Sequence, residues 1–70
     1  MTKEFNLEGQ EFIELNKLLK IMKIAGSGGE ASMLIENGEI MVNGVVETRK
    51  RNKLRSGMIV TFQTTSVLIK

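Results

Sequence analysis

The spacing of apolar and polar positions changes repeatedly along the 70-residue chain, and each change predicts an element. Lys3-Glu4-Phe5-Asn6-Leu7 alternates and predicts a short N-terminal strand, which Glu8-Gly9-Gln10 interrupts. Over residues 11–22 the spacing lengthens. Phe12, Leu15, Leu18, Leu19 and Met22 recur three and four apart, so they share one face of a helix. Glu11 would fall in its first turn and Lys20 and Lys23 near its end, an arrangement that suits the helix dipole.

Ser27-Gly28-Gly29-Glu30 then fits a capping box, with Ser27 capping the Glu30 amide and Glu30 reaching back. A second helix of about ten residues follows, turning Ala31, Leu34 and Ile35 to the core. Gly38, after Asn37, stops it, because glycine adopts the left-handed conformation cheaply. Glycine at positions 28 and 29 disfavours the helix, and close packing against the first helix accounts for it better than an anion site. Glu30 already competes for that positive end.

The remaining third reads as β-structure. Ile40 and Val42 point one way and Met41 the other, and Asn43-Gly44 signals a type I′ hairpin turn, with Val45 and Val46 on the return. A loop or irregular strand follows, with Leu54 as its apolar anchor. Ser56-Gly57 turns, Ile59 to Phe62 forms a strand, Gln63 to Ser66 turns again, and Val67-Leu68-Ile69 closes the sheet. The order of strand, two helices and several antiparallel strands predicts a small α+β layer fold.

Composition narrows the chemistry. A chain of this length, 41% hydrophobic, holds one compact domain over residues 1–70 and a modest core. It has no Cys and no His, which excludes disulfides and the usual zinc sites, and no cofactor is expected. The same absences remove the commonest general base and the strongest nucleophile, so an enzyme is not expected. Glu36 and Glu39, three apart around a helix end, are better explained by a solvated face than by hydrolysis. No signal-peptide pattern or transmembrane stretch appears, which makes the cytoplasm the default.

Charge changes the picture more. The net charge is +2, but residues 1–48 hold four Lys against all eight Glu, and residues 49–70 hold six cations and no acid. Five of those six are Arg49, Lys50, Arg51, Lys53 and Arg55, a concentration that suits a polyanion. An acidic membrane could attract it, but the run lacks an apolar stripe for insertion.

The stretch from Leu15 to Gly44 resembles the S4 RNA-binding domain. Leu15-Asn16-Lys17-Leu18-Leu19 matches that family's first helix. Ser27, Glu30, Ala31, Leu34, Ile35 and Gly38 match its second, and Ile40, Val42, Asn43 and Gly44 match the following strand and turn. Gly57-Met58-Ile59 extends the match. The whole chain is most similar to small stand-alone bacterial members, the YbcJ and YaaA type. Their shared features stand here as Ser27-Gly28-Gly29, Val42-Asn43-Gly44 and the basic run from Arg49 to Lys53. The resemblance implies an S4-like (αL) fold, two helices packed on a small, mainly antiparallel sheet. Three positions depart from the ribosomal form of the motif. Glu14 stands where it has Arg, Asn16 where it has Asp, and Gly28 where it has Arg, so the basic block must carry more of any RNA affinity.

The resemblance implies an RNA interface made of Lys17, Lys20, Lys23, Ser27, Gly28, Gly29, Asn43, Arg49, Lys50, Arg51, Lys53 and Arg55. Arg49 and Arg51 are preferred for structural selectivity, since guanidinium forks two oxygens or stacks on a base. Phe5, Phe12 and Phe62 sit in apolar patterns and are expected in the core. A stacking platform is therefore not expected, and a structured ribosomal or transfer RNA, read by shape, is the partner class. A monomer is expected, and the alternative function is a protein-interaction module that docks the basic strip on an acidic protein, with Met33 and Met41 as adaptable contacts. Partial burial at a helix or sheet edge is the simpler account of both Met.

Overall fold

Segments whose burial alternates residue by residue build the sheet. All 70 residues are described by a computed structural model. β1 is Thr2–Phe5, β3 Ile40–Val42, β4 Val45–Val46, β6 Ile59–Phe62 and β7 Thr65–Ile69, joined in the order β1-β7-β6-β3-β4. Every pairing is antiparallel except β1 with β7, which is parallel. Ile40, Val42, Val60, Val67 and Ile69 turn to one face and join Leu18, Leu19, Ala31 and Ile35 of the helices in a single core. Burying each of the larger residues contributes roughly 1.5–3 kcal/mol. Met41, Val46 and Ile59, at the alternate positions, remain exposed on the other face.

The hairpin matches its sequence signal. Asn43 and Gly44 both have positive φ, 53° and 83°, as a type I′ turn requires. Elsewhere the boundaries shift. The first strand ends at Phe5, and Leu7 instead reaches the core and donates its amide to the Lys70 carbonyl. The expected turn over Gln63 to Ser66 shrinks to Gln63-Thr64, because Thr65 and Ser66 already pair with Phe62 and Thr61.

The first helix also differs from its periodicity. α1 spans Leu15–Ile21, not residues 11–22. Glu11 and Phe12 lie outside it, and Ile13–Glu14 forms a two-residue strand, β2, paired antiparallel with β5, Lys53–Leu54. Ile13, which the helical pattern assigned no inward role, is buried opposite Leu54. Pairing between distant segments has overridden a spacing that Phe12 shared by coincidence.

α2, Gly28–Glu36, opens on Ser27, whose Oγ accepts from the Glu30 amide at 3.1 Å; no return bond from the Glu30 carboxylate forms. Both helices end alike. The amide two residues past the C-cap donates to the carbonyl three residues before it, Ile24 to Leu19 in α1 and Glu39 to Leu34 in α2. The left-handed residue is Gly38 after α2, but Lys23 (φ 60°) after α1. The glycines that open α2 are not forced by close packing. A Cβ on Gly28 would meet Lys20 Cδ at 3.9 Å, an ordinary contact, and one on Gly29 would meet only Ser27 Oγ at 3.9 Å.

Candidate functional site

The basic block runs from the loop after β4, which holds Arg49, Lys50 and Arg51, through Lys53 of β5 to Arg55 just beyond it. Its shape is set by a carboxylate that the sequence reading passed over. Glu47 accepts from the Arg49 amide at 2.9 Å, from Arg49 Nε at 2.9 Å and Nη2 at 3.1 Å, and from Asn52 Nδ2 at 2.9 Å. These bonds, the Arg49 side-chain pair foremost, hold the Glu47 carboxyl below its ordinary pKa and raise that of the Arg49 guanidinium. The only hint in the sequence was position: Glu47 is the last acid, two residues before the basic run.

The loop is tied to α1 through its backbone. The amides of Leu15 and Asn16, free donors at a helix start, bond to the carbonyls of Asn52 and Lys50 at 3.0 Å each. With the β2–β5 pair, these bonds place the start of α1 against the basic block. Leu54, fully buried, anchors the far end of the loop as its apolar character suggested.

The five cations of the block therefore differ. Arg49 is held by Glu47 in a two-pronged pair, and Lys50 Nζ lies 3.7 Å from a Glu36 carboxylate oxygen. Arg51, Lys53 and Arg55 have no acidic partner. Arg49, Arg51, Asn52 and Lys53 enclose an open concavity of about 340 Å³ without an apolar or acidic wall.

Phe12 is not a core residue. It is partly buried but does not pack on the core cluster, and Lys53 Nζ and Arg55 Cζ lie 5.0 and 5.7 Å from its ring centroid, within cation–π range. The same ring lines a second cleft, about 440 Å³, with Phe5, Ile13 and Ile21 as its other apolar walls and Gln10, Glu14 and Lys17 as its polar ones. Phe12 thus joins the loop cations to Lys17. Lys20, three residues further along α1, passes beside Gly28 at the start of α2. Phe5 and Phe62, by contrast, pack against the core as expected.

Other candidates are already engaged. Ser27 Oγ serves as the α2 cap. Asn43 is bound to Ile59 twice, its amide donating to the Ile59 carbonyl at 2.8 Å and its Oδ1 accepting the Ile59 amide at 2.9 Å. Gly29 meets nothing but the cap, and Lys23 stands at the left-handed turn between the helices. Met33 and Met41 are exposed, 62% and 37%, rather than partly buried. No helix is long and apolar enough to cross a membrane.

Known proteins are similar to this chain in sequence and fold. YbcJ of Escherichia coli (strain K12) is 40% identical over 65 residues, which cover 93% of each chain. YbcJ of Shigella flexneri matches to the same extent. The solution structure of the E. coli protein, described as revealing an αL motif involved in RNA binding, superimposes with a TM-score of 0.72 at 39% identity. That superposition covers 94% of this chain and 84% of the other. The S4 domain pattern matches residues 5–70, and the chain belongs to the S4 domain family.

Proposed function

We propose that this chain is an RNA-binding module that holds a structured RNA, ribosomal or transfer RNA by class, on the loop between β4 and β5 and the adjoining side of α1. The observation that carries the reading is the cluster of Arg51, Lys53 and Arg55, three cations without acidic partners beside a concavity lined by Arg49, Arg51, Asn52 and Lys53. Phosphate neutralisation supplies most of the affinity, and Arg51 can also fork two phosphate oxygens. Lys17 and Lys20 extend the charge along α1 towards Gly28, and Lys23 follows in the turn. Ser27, Gly28, Gly29 and Asn43 shape the backbone around this surface more than they touch RNA. The 70 residues act as one unit, as a monomer, in the cytoplasm and without catalysis.

The test is fluorescence anisotropy with folded transfer RNA and with structured ribosomal RNA fragments, over a salt series. If the three unpartnered cations of the loop make the contacts, log K falls with log salt at a slope of about −2 to −3, at 0.7–0.9 per phosphate. A slope of about −3.5 to −4.5 means that two further cations take part, either Lys17 and Lys20 of α1 or Arg49 and Lys50 released from their pairs. The triple variant Arg51→Ala/Lys53→Ala/Arg55→Ala should lose at least tenfold in affinity and most of the slope. Unchanged binding by that variant would remove the loop from the interface.

A further inference from the structure

The cleft beside the basic loop has walls that phosphate binding does not use. Phe12 is partly buried and Ile21 is 55% exposed, and both border a concavity of about 440 Å³, a volume typical of sites for small organic groups. Its apolar walls suit a flat apolar face. Its charges are of both signs: Lys53 and Arg55 flank Phe12 outside, while Lys17 and Glu14 both lie within the lining and Glu14 has no ion-pair partner.

The Glu14 carboxylate repels phosphate, so the polyanion that the basic block attracts places its backbone towards Lys17 and not against Glu14. The occupant must present N–H donors and a flat face while its attached chain is anionic. An extruded nucleobase meets all three conditions. Among the four bases, guanine alone carries two adjacent donors, N1–H and the N2 amino group, on its Watson–Crick edge. Two donors side by side match the two oxygens of one carboxylate, as the forked geometry of Arg does elsewhere. Uracil offers a single N–H between two carbonyls, and adenine and cytosine each offer one amino group beside a bare ring nitrogen.

We propose that the cleft between Phe5, Phe12 and α1 takes an unpaired guanine of the bound RNA, with Glu14 reading its Watson–Crick edge while the phosphates on either side lie on Lys17, Lys53 and Arg55. This inference rests on the RNA-binding reading and names the feature of the RNA that is recognised. A fold that leaves an aromatic ring open beside unpartnered cations combines stacking surface with charge, the two requirements for holding a single unstacked base.

The experiment compares RNA hairpins that carry one bulged G, A, U or C with the same hairpin fully paired, by anisotropy at fixed salt. The bulged-G hairpin should bind at least tenfold tighter than the paired one, ahead of the other three bulges. Glu14→Gln should reduce the preference for G over A to less than twofold. Phe12→Leu should weaken all four bulged hairpins relative to the paired one. In methyl NMR spectra, Ile13 and Ile21 should shift with the bulged-G hairpin and not with the paired one. Equal, salt-dependent binding of bulged and paired hairpins would overturn the guanine site and leave RNA binding intact. Absence of salt-dependent binding to any hairpin or folded RNA would overturn both.

Discussion

The turn at Asn43-Gly44 and the basic loop that starts three residues later are built on opposite rules. The first is local. Two adjacent residues accept positive φ, and Asn43 turns its polar atoms inward onto Ile59. The second combines near and distant parts. Glu47 gathers Arg49 and Asn52 from two and five residues away, while backbone carbonyls of Lys50 and Asn52 receive the α1 amides and Leu54 is held in the core. The local turn leaves little side-chain chemistry for a ligand. The distant construction holds some of its cations in pairs and leaves Arg51, Lys53 and Arg55 open. Two segments equally prominent in the sequence thus differ in what they can offer a partner.

The largest test of the difference is Leu54→Ala. Removing a fully buried Leu costs about 2–5 kcal/mol, against a total of roughly 4–10 kcal/mol for a domain of this size. Urea unfolding followed by circular dichroism should show most of the stability lost. Amide exchange in the folded fraction should show Leu15 and Asn16, donors to the loop, losing protection before Asn43 and Ile59. Equal loss at both places would mean that loop and hairpin stand or fall together, and the contrast between them would be wrong.

Two smaller substitutions separate the segments by function. Asn43→Ala removes the bond to the Ile59 amide and strains the left-handed backbone, a loss of about 1–2 kcal/mol with no change in the RNA salt slope. Glu47→Gln also costs about 1–2 kcal/mol, but it frees the Arg49 guanidinium, so the slope should steepen by roughly 0.7–0.9. An unchanged slope in Glu47→Gln would mean that Arg49 meets the same number of phosphates with or without its carboxylate partner, and the pair would not restrain it. The Glu47 carboxyl has a folded-state pKa below its unfolded value. Its contribution is therefore complete above the ordinary carboxylate range and is lost as pH falls through the depressed value. Stability of the parent protein should decline on acidification in that range, and Glu47→Gln should decline less.

The same contrast explains what could be read from the chain. The capped start of α2, Gly38 at its end and Asn43-Gly44 are rules of adjacent residues, and each was legible. The S4 resemblance was legible too, since it rests on those local signals in order. The start of α1 was not. Phe12 kept the helical spacing, and only pairing of Ile13 with Leu54, forty-one positions away, shows that the helix begins later. That one displacement moves Phe12 out of the core and onto the candidate interface. The role of Glu47 was hidden for a similar reason: an acid near a basic run could solvate, pair or cap, and folding of the loop decides which.

Lys23 belongs to both rules, and its substitution carries the smallest expected effect. Its backbone lies at φ 60°, in the position that Gly38 fills after the other helix, with the same pair of closing hydrogen bonds. A side chain there is strained, so Lys23→Gly should raise stability by about 0.5–1 kcal/mol, read as a higher urea midpoint at unchanged slope. Its charge, unlike the side chain of Asn43, has no partner within the fold. If that charge meets a phosphate, the same variant should flatten the RNA salt slope by roughly 0.7–0.9. Higher stability with a flatter slope would place Lys23 with the open cations of the loop, kept at a strained position for what it binds. Higher stability with an unchanged slope would place it with the hairpin turn, as a residue whose only role is to let the chain change direction.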